Sequence, residues 1–391
     1  MRELERLAPV ELGRRLKAAR NAARVTQDQA AERIGAVRTT IVAIERGDRR
    51  LSAEDLLGLC DLYQTSPGGL LRPDAIHVDL AVQLRRLPAV GADQDAGDVS
   101  RVLHTLAARY VELERKLGRP LEPAYPPVWR LARGQVQEQA EDAAMDLRGR
   151  LGIGHLPIPD LLGLIETELR IRLFIVPLPS SVSGAYAYHE ALDACILVNA
   201  NHALTRQAWT AAHELGHFQT DRRNGEVLLE QGGGEKGEGV ADDHFAKLFA
   251  GAFLMPAAAV RARYRDLCEG QGKFSPRSLV YLARSFYVAP EAMARRLEQL
   301  RLFKKGTFDA LRTSGFDGSA IRRILGDATV PSPPRFLPRY TLIAVEAYEQ
   351  ELISEGELAQ MLRIGRIETR EIVASLAGLW EPIDEVRLAH G

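Results

Sequence analysis

"AAHELGHFQT", residues 211–220, places His213, Glu214 and His217 in the order His-Glu-x-x-His. On an α-helix, residues four apart share one face a turn apart, so both imidazoles can point at one ion. Glu214 is rotated from His213 by about 100°. It can approach water beside such an ion but is badly placed to ligate it. The competing reading is a surface helix with two solvated histidines.

The flanking sequence favours the first reading. The helix "TRQAWTAAHELGHF" (205–218) has Ala208, Ala212, Leu215 and Phe218 to bury, while Ala211, Ala212 and Gly216 leave room for close packing. Strand candidates precede it at 170–178, 183–191 and 194–200, as they do in zincins, where the metal acidifies water and the Glu takes its proton. A catalytic metal of this type needs a third protein ligand and one open position. The next helix, "EGVADDHFAKLFAGAFLMP" (238–256), offers Glu238, Asp242, Asp243 and His244. Its apolar residues Ala246, Phe249, Ala250, Phe253 and Leu254 set the buried direction. Asp242 and Asp243 each lie about 50° from it on opposite sides, and His244 points away. Periodicity leaves the two aspartates open. A metzincin ligand six residues after His217 is excluded, because that residue is Arg223.

The chain has 391 residues, which suggests two or three domains. A hydrophobic fraction of 46% and a charged fraction of 26% are those of an ordinary globular protein. The net charge of -1 gives no global pull toward nucleic acid or membrane, so a DNA-binding face must come from local segregation. Cys60, Cys195 and Cys268 are far apart and form no CxxC pair, which argues against a disulfide framework and a cysteine metal site. No signal peptide and no run of about 18 apolar residues are legible, so a cytoplasmic location without membrane contact is expected.

Segregation of charge is found near the N-terminus. Residues 13–50 hold ten Lys/Arg against four Asp/Glu, a net of +6. Thr26 reads as the N-cap of "QDQAAERIG", which ends at Gly35, and "RTTIVAIERG" ends at Gly47; Ser52 reads as the cap of the next helix. The short turn Gly35-Ala36-Val37 is that of a helix-turn-helix, whose second helix enters the major groove N-terminus first. On that reading Arg38, Thr39 and Thr40 can meet base edges or a phosphate and Gln27 a phosphate; the competing reading is a solvated helical bundle with scattered arginines.

"TQDQAAERIG…TTIVAIERGDRR" resembles the Cro/C1-type (XRE) repressor family, over about 60 residues. The resemblance implies a five-helix fold and a homodimer on double-stranded operator DNA, with base contacts from Arg38–Thr40. "HELGH" followed some 30 residues later by an acidic residue leading into "FAKLFAGAFLMP" resembles the ImmA/IrrE metallopeptidase family. That family implies zinc, with a third ligand about thirteen residues before the Pro of "LMP". Counting back from Pro256 gives Asp243, with Ala246 as the small residue three positions on. The family usually has Glu there; the shorter Asp means that the helices approach more closely or that the site is weaker.

Lesser candidates complete the site. Asp221, four residues after His217, could accept from an imidazole N–H, although a solvated helix end is the plainer reading. Tyr186 and Tyr188 share one strand face; one could donate to an oxyanion, with cross-strand packing the plainer role. The glycine-rich stretch 224–239 could cover the metal as a lid or be a surface loop.

The expected fold is mainly α with a small α+β zincin-like domain. The expected order is a helix-turn-helix domain (1–75), a helical and proline-rich linker (76–129) that is loop-like at 89–98, a peptidase domain (130–303) and a helical C-terminal domain (304–391). Three functions fit. One is a regulator with a working zinc endopeptidase that cuts a partner repressor, an antitoxin or its own linker. The others are a regulator whose zincin fold senses a ligand or metal, and an antitoxin-like partner of a toxin.

Overall fold

The computed structural model describes residues 8–23, 25–63, 65, 67–71, 93–132, 134–220, 228–231, 240–271, 273–325 and 338–376. It is mainly helical, with one small sheet.

The N-terminal unit consists of α1 (Pro9–Ala22), α2 (Gln27–Arg33), α3 (Arg38–Arg46), α4 (Ala53–Leu62) and α5 (Pro67–Leu71). The expected punctuation is present. Thr26 caps α2 in a reciprocal capping box with Gln29, and Ser52 accepts from the Asp55 N–H to cap α4. Gly47 ends α3 at φ +80°, where a Cβ would stand 2.6 Å from the Val10 backbone, so both conformation and contact require glycine. Leu12, Leu16, Ala30, Ile41, Ile44, Leu56 and Leu59 form its core.

A long helix α6 (Asp93–Lys116) follows. It starts inside the stretch that reads as loop. Its stripe Val99, Leu103, Leu106 and Tyr110 is buried, and this burial outweighs the helix penalty of Gly97, about 1 kcal/mol. Residues 119–132 then run without regular structure, as their four prolines dictate.

The next elements are α7 (Val136–Arg150), α8 (Leu161–Thr167), β1 (Arg172–Val176), β2 (Val182–His189), β3 (Asp193–Asn199), α9 (Leu204–Thr220), β4 (Leu228–Gln231) and α10 (Val240–Leu254). The sheet order is β1-β3-β2-β4; β1 pairs parallel to β3, and the other pairings are antiparallel. Side chains alternate between its two faces. Leu173, Ile175, Tyr186, Ile196 and Val198 enter a core with α7–α10, α12 (Pro276–Ser285) and α13 (Pro290–Gln299), the helices on either side of which are α11 (Ala257–Gln271) and α14 (Thr307–Thr313).

The opposite face carries Phe174, Val176, Ala185, Cys195 and Leu197. It is covered by α6 together with α16 (Pro338–Glu349) and α17 (Glu355–Leu362), and α18 (Arg366–Leu376) packs against the same core; α15 (Gly318–Leu325) lies before them in the chain. The segment read as a linker and the segment read as a C-terminal domain therefore share one apolar core with the back of the sheet. A sheet with two apolar faces needs a layer on each.

Candidate metal centre and nucleic-acid interface

The helix bearing the His-Glu-x-x-His motif is buried on every side from Thr210 to Gln219, which rules out the solvated-histidine reading. Its front packs on β2 and its back on α10. At Gly216 a Cβ would stand 2.7 Å from the Ala246 Cα, so α9 and α10 meet backbone to backbone one residue from His217 and three from Asp243. The far end of α10 is held by two buried arginines. Arg148 donates to the carbonyls of Phe253, Gly154 and Leu156, and Arg296 donates to the Met255 carbonyl at 3.0 Å while pairing with Glu141. Cations at a helix C-terminus satisfy its last carbonyls and its dipole. Across the end of α9, the proline-rich segment is tied down by the Trp129 N–H donating to the Gln219 carbonyl at 2.7 Å and by the Tyr125 hydroxyl accepting from the Ala194 N–H at 3.0 Å.

His213, His217 and Asp243 present one donor atom each, all within 4.8 Å of one another. Nε2 of His213 lies 3.1 Å from Nε2 of His217 and 3.4 Å from Oδ1 of Asp243. Bonds of 2.0–2.1 Å in a tetrahedral site place neighbouring donors roughly 3.3 Å apart, so the three atoms fit around one ion. The protonation states suit the same task. Burial pushes His213 down to about 3, helped by His217, and pushes His217 down to about 4. Both rings are therefore neutral at pH 7 and can offer a lone pair. Burial raises the Asp243 carboxyl, but the Lys247 ammonium and the two histidines outweigh it and keep the group below the usual range. Two imidazoles and a carboxylate form a group that can hold a metal ion and leaves a fourth position for water or substrate.

Glu214 is buried at 1% exposure, and β2 passes beside it: a Cβ on Gly184 would stand 3.4 Å from its Oε1. Tyr186 is buried in the front core, its ring centroid 5.9 Å from that of Phe218 in an edge-to-face contact, and Tyr188 is half-buried on the same face. Asp221, the side chain of Asp242, and 224–227 and 232–239 of the proposed lid lie outside the described residues. Lys247 is a member of the site that the motif does not point to. Its Nζ is 2.8 Å from Asp243 Oδ2, and the i, i+4 spacing on α10 is the available signal.

In the N-terminal unit, Arg38 and Thr39 are exposed at the start of α3. Gln27 is half-buried, accepting from Arg38 Nε at 3.3 Å and donating to Glu45 at 2.9 Å. Thr40 departs from its expected place. It is buried, and its hydroxyl accepts from Arg49 at 3.3 Å, because the stripe running through Ile41 and Ile44 turns that position toward the body of the unit. Glu45, buried and paired with Arg20, anchors Gln27 from behind.

Comparison with known families agrees with both halves. Residues 11–72, spanning α1–α5, match a helix-turn-helix domain, and residues 166–298, from the end of α8 to α13, match the IrrE N-terminal-like domain, a peptidase family. No curated protein matches the chain. Among the described residues, no single helix is long and apolar enough to cross a membrane. The chain is thus a fusion of a DNA-binding helix-turn-helix domain with an IrrE-like peptidase domain.

Proposed function

We infer that this is a cytoplasmic, operator-binding homodimer with a zinc endopeptidase that cuts a partner repressor, an antitoxin or its own linker. The observation that carries the reading is Glu214. A carboxylate at 1% exposure is costly to keep, and a purely structural or sensing helix has no use for one beside the metal ligands. His213, His217 and Asp243 would hold the zinc. When bound, zinc supplies a Lewis acid that polarises a carbonyl and brings the pKa of water near 7. Glu214 is placed to take a proton from a water whose oxygen adds to the scissile carbonyl carbon, and to give it to the amine nitrogen as the C–N bond breaks. β2 at Gly184 lies against the Glu214 carboxylate, which is buried from bulk solvent.

The sensor reading draws support from Lys247, which shares the Asp243 carboxylate and weakens it as a ligand. The two are separated by comparing newly formed protein N-termini in cells carrying the native chain and Glu214→Gln. The peptidase reading expects a cut in a DNA-binding repressor, an antitoxin or the chain itself that is absent in Glu214→Gln. No such cut, in protein that retains one zinc per chain, would leave the sensor.

A further inference from the structure

The helices α17 and α18 repeat the geometry of the N-terminal helix-turn-helix step by step. Thr26 and Ser354 are N-caps with nearly the same backbone, φ/ψ of -76°/160° and -80°/162°, and each closes a capping box with the residue three positions on, Gln29 or Glu357. Nine residues after each cap comes a left-handed residue, Gly35 at φ +63° and Arg363 at φ +54°. Twelve residues after each cap the second helix begins with arginine, Arg38 or Arg366. The residues four and fifteen positions after the cap are buried in both, Ala30 and Ile41 in one, Leu358 and Thr369 in the other. The pair α12–α13 does not share this spacing. In α12–α13 the capped Ser275 is followed by the left-handed Tyr287 and a helix start at Pro290, three residues later in each case.

We propose that α17–α18 is a second helix-turn-helix and that its edge, formed by Arg363, Arg366 and Ile367, docks on double-stranded DNA. Arg366 stands where Arg38 stands and forms no ion pair among the described residues. Ile367 takes the place of Thr39 and is 76% exposed. A lone exposed isoleucine is ordinary on a surface. At the second position of a recognition helix it is suited to a thymine methyl. The charge balance is comparable over matching windows: residues 26–46 hold three Arg and three acidic residues, and 354–374 hold three Arg and four. Two features make this the weaker module. The α17 N-terminus carries Glu355, where α2 has Gln27, and Glu355 holds Arg370 at 3.0 Å. It also lacks the basic flank that α1 provides. The module is firmly mounted, since Arg109 donates to the Gln360 carbonyl, Lys116 to the Leu352 carbonyl, and the Tyr340 hydroxyl to the Met361 carbonyl. It would thus bring the sheet-bearing body of the chain onto the duplex.

The test uses the full chain with a random-sequence duplex, measuring affinity across a salt series. Counterion release makes the slope of log affinity against log salt count phosphate contacts. Arg363→Ala/Arg366→Ala, with an unchanged melting temperature, should lower that slope by about 2 and weaken binding about tenfold at low salt, independently of Arg38→Ala. A photo-reactive p-benzoylphenylalanine replacing Ile367 should form an adduct with DNA. An unchanged slope and affinity overturns the proposal. Adducts with protein alone would overturn it as well and make the edge a protein-docking face.

Discussion

Gly216 on α9 and Ala246 on α10 touch backbone to backbone: a methyl added at Gly216 would stand 2.7 Å from the Ala246 Cα and 3.0 Å from its Cβ. The obstacle is main chain, which cannot rotate away. Gly216→Ala must push the helices apart, and His217 and Asp243 sit on opposite sides of that contact. Overpacking of this kind costs about 1–3 kcal/mol. The larger effect should be on metal, because Asp243 has no spare methylene with which to follow. Elemental analysis and thermal melting of Gly216→Ala should show zinc lost out of proportion to the fall in stability. Full zinc occupancy would show that α10 can shift without consequence for the ligand set.

Lys247 divides the Asp243 carboxylate. Nζ holds Oδ2 at 2.8 Å, which leaves Oδ1, 3.4 Å from His213 Nε2, as the oxygen that would ligate a metal. The ammonium would favour one-oxygen ligation and would place a like charge near a bound metal. Lys247→Met should therefore bind zinc more tightly, by about tenfold, since close charges in partly solvated surroundings interact at the level of roughly 1 kcal/mol or more. Competition against a chelator of known affinity measures this directly. Weaker binding in Lys247→Met would mean that its ordering of Asp243 outweighs its charge.

Much of this site is legible in the sequence, and the exceptions share a cause. The His-Glu-x-x-His motif, the caps at Thr26 and Ser52 and the helix of Asp243 are set by neighbours within a few residues. Spacing shows such relationships directly. The back layer of the sheet is not legible, because Phe174 and Tyr340 meet across 166 positions of sequence with ring centroids 5.8 Å apart. No local period announces that α6 and α16 cover the same face. Thr40 departs from its expected place for a related reason: the N-terminal edge of a recognition helix follows from the motif, but which of its residues turns inward depends on where the rest of the unit packs. Lys247 is readable from its i, i+4 spacing to Asp243.

Glu166 makes stability depend on pH in a direction opposite to most carboxylates. It is buried in the folded chain beside the Tyr110 hydroxyl, and burial raises it to about 7, with Arg339 and Tyr110 opposing the shift. Its unfolded value is near the ordinary 4.5. Between these values the folded state binds the extra proton, so stability from this group is present at low pH and is lost as pH rises through 7. Glu166→Gln should remove that loss. The variant should be more stable than the native chain at pH 8, by up to about 3 kcal/mol, and similar to it near pH 5. Denaturant midpoints at the two pH values provide the comparison; an equal difference at both would exclude Glu166 as the titrating group.

At the DNA face, exposure separates three neighbouring residues that the motif alone treats alike. Arg38 and Thr39 are exposed at the start of α3, while Thr40 is buried with its hydroxyl held by Arg49. Arg38 is partly ordered in advance by Gln27, itself anchored on Glu45 and, through it, on Arg20. A pre-positioned guanidinium loses less freedom on binding and can make a two-pronged contact to guanine. Arg38→Ala should cost roughly 1–3 kcal/mol on the specific operator and less on random duplex. Gln27→Ala should produce a smaller loss of the same specific kind, because it frees Arg38 without removing it. Thr40→Val should act otherwise: it deletes the acceptor for Arg49 in a buried place, lowering the melting temperature of the N-terminal unit while the ratio of specific to random affinity stays fixed. Binding titrations on both duplexes, alongside melting curves, resolve the three patterns. A fall in the specificity ratio with Thr40→Val at unchanged stability would return Thr40 to the base-reading surface.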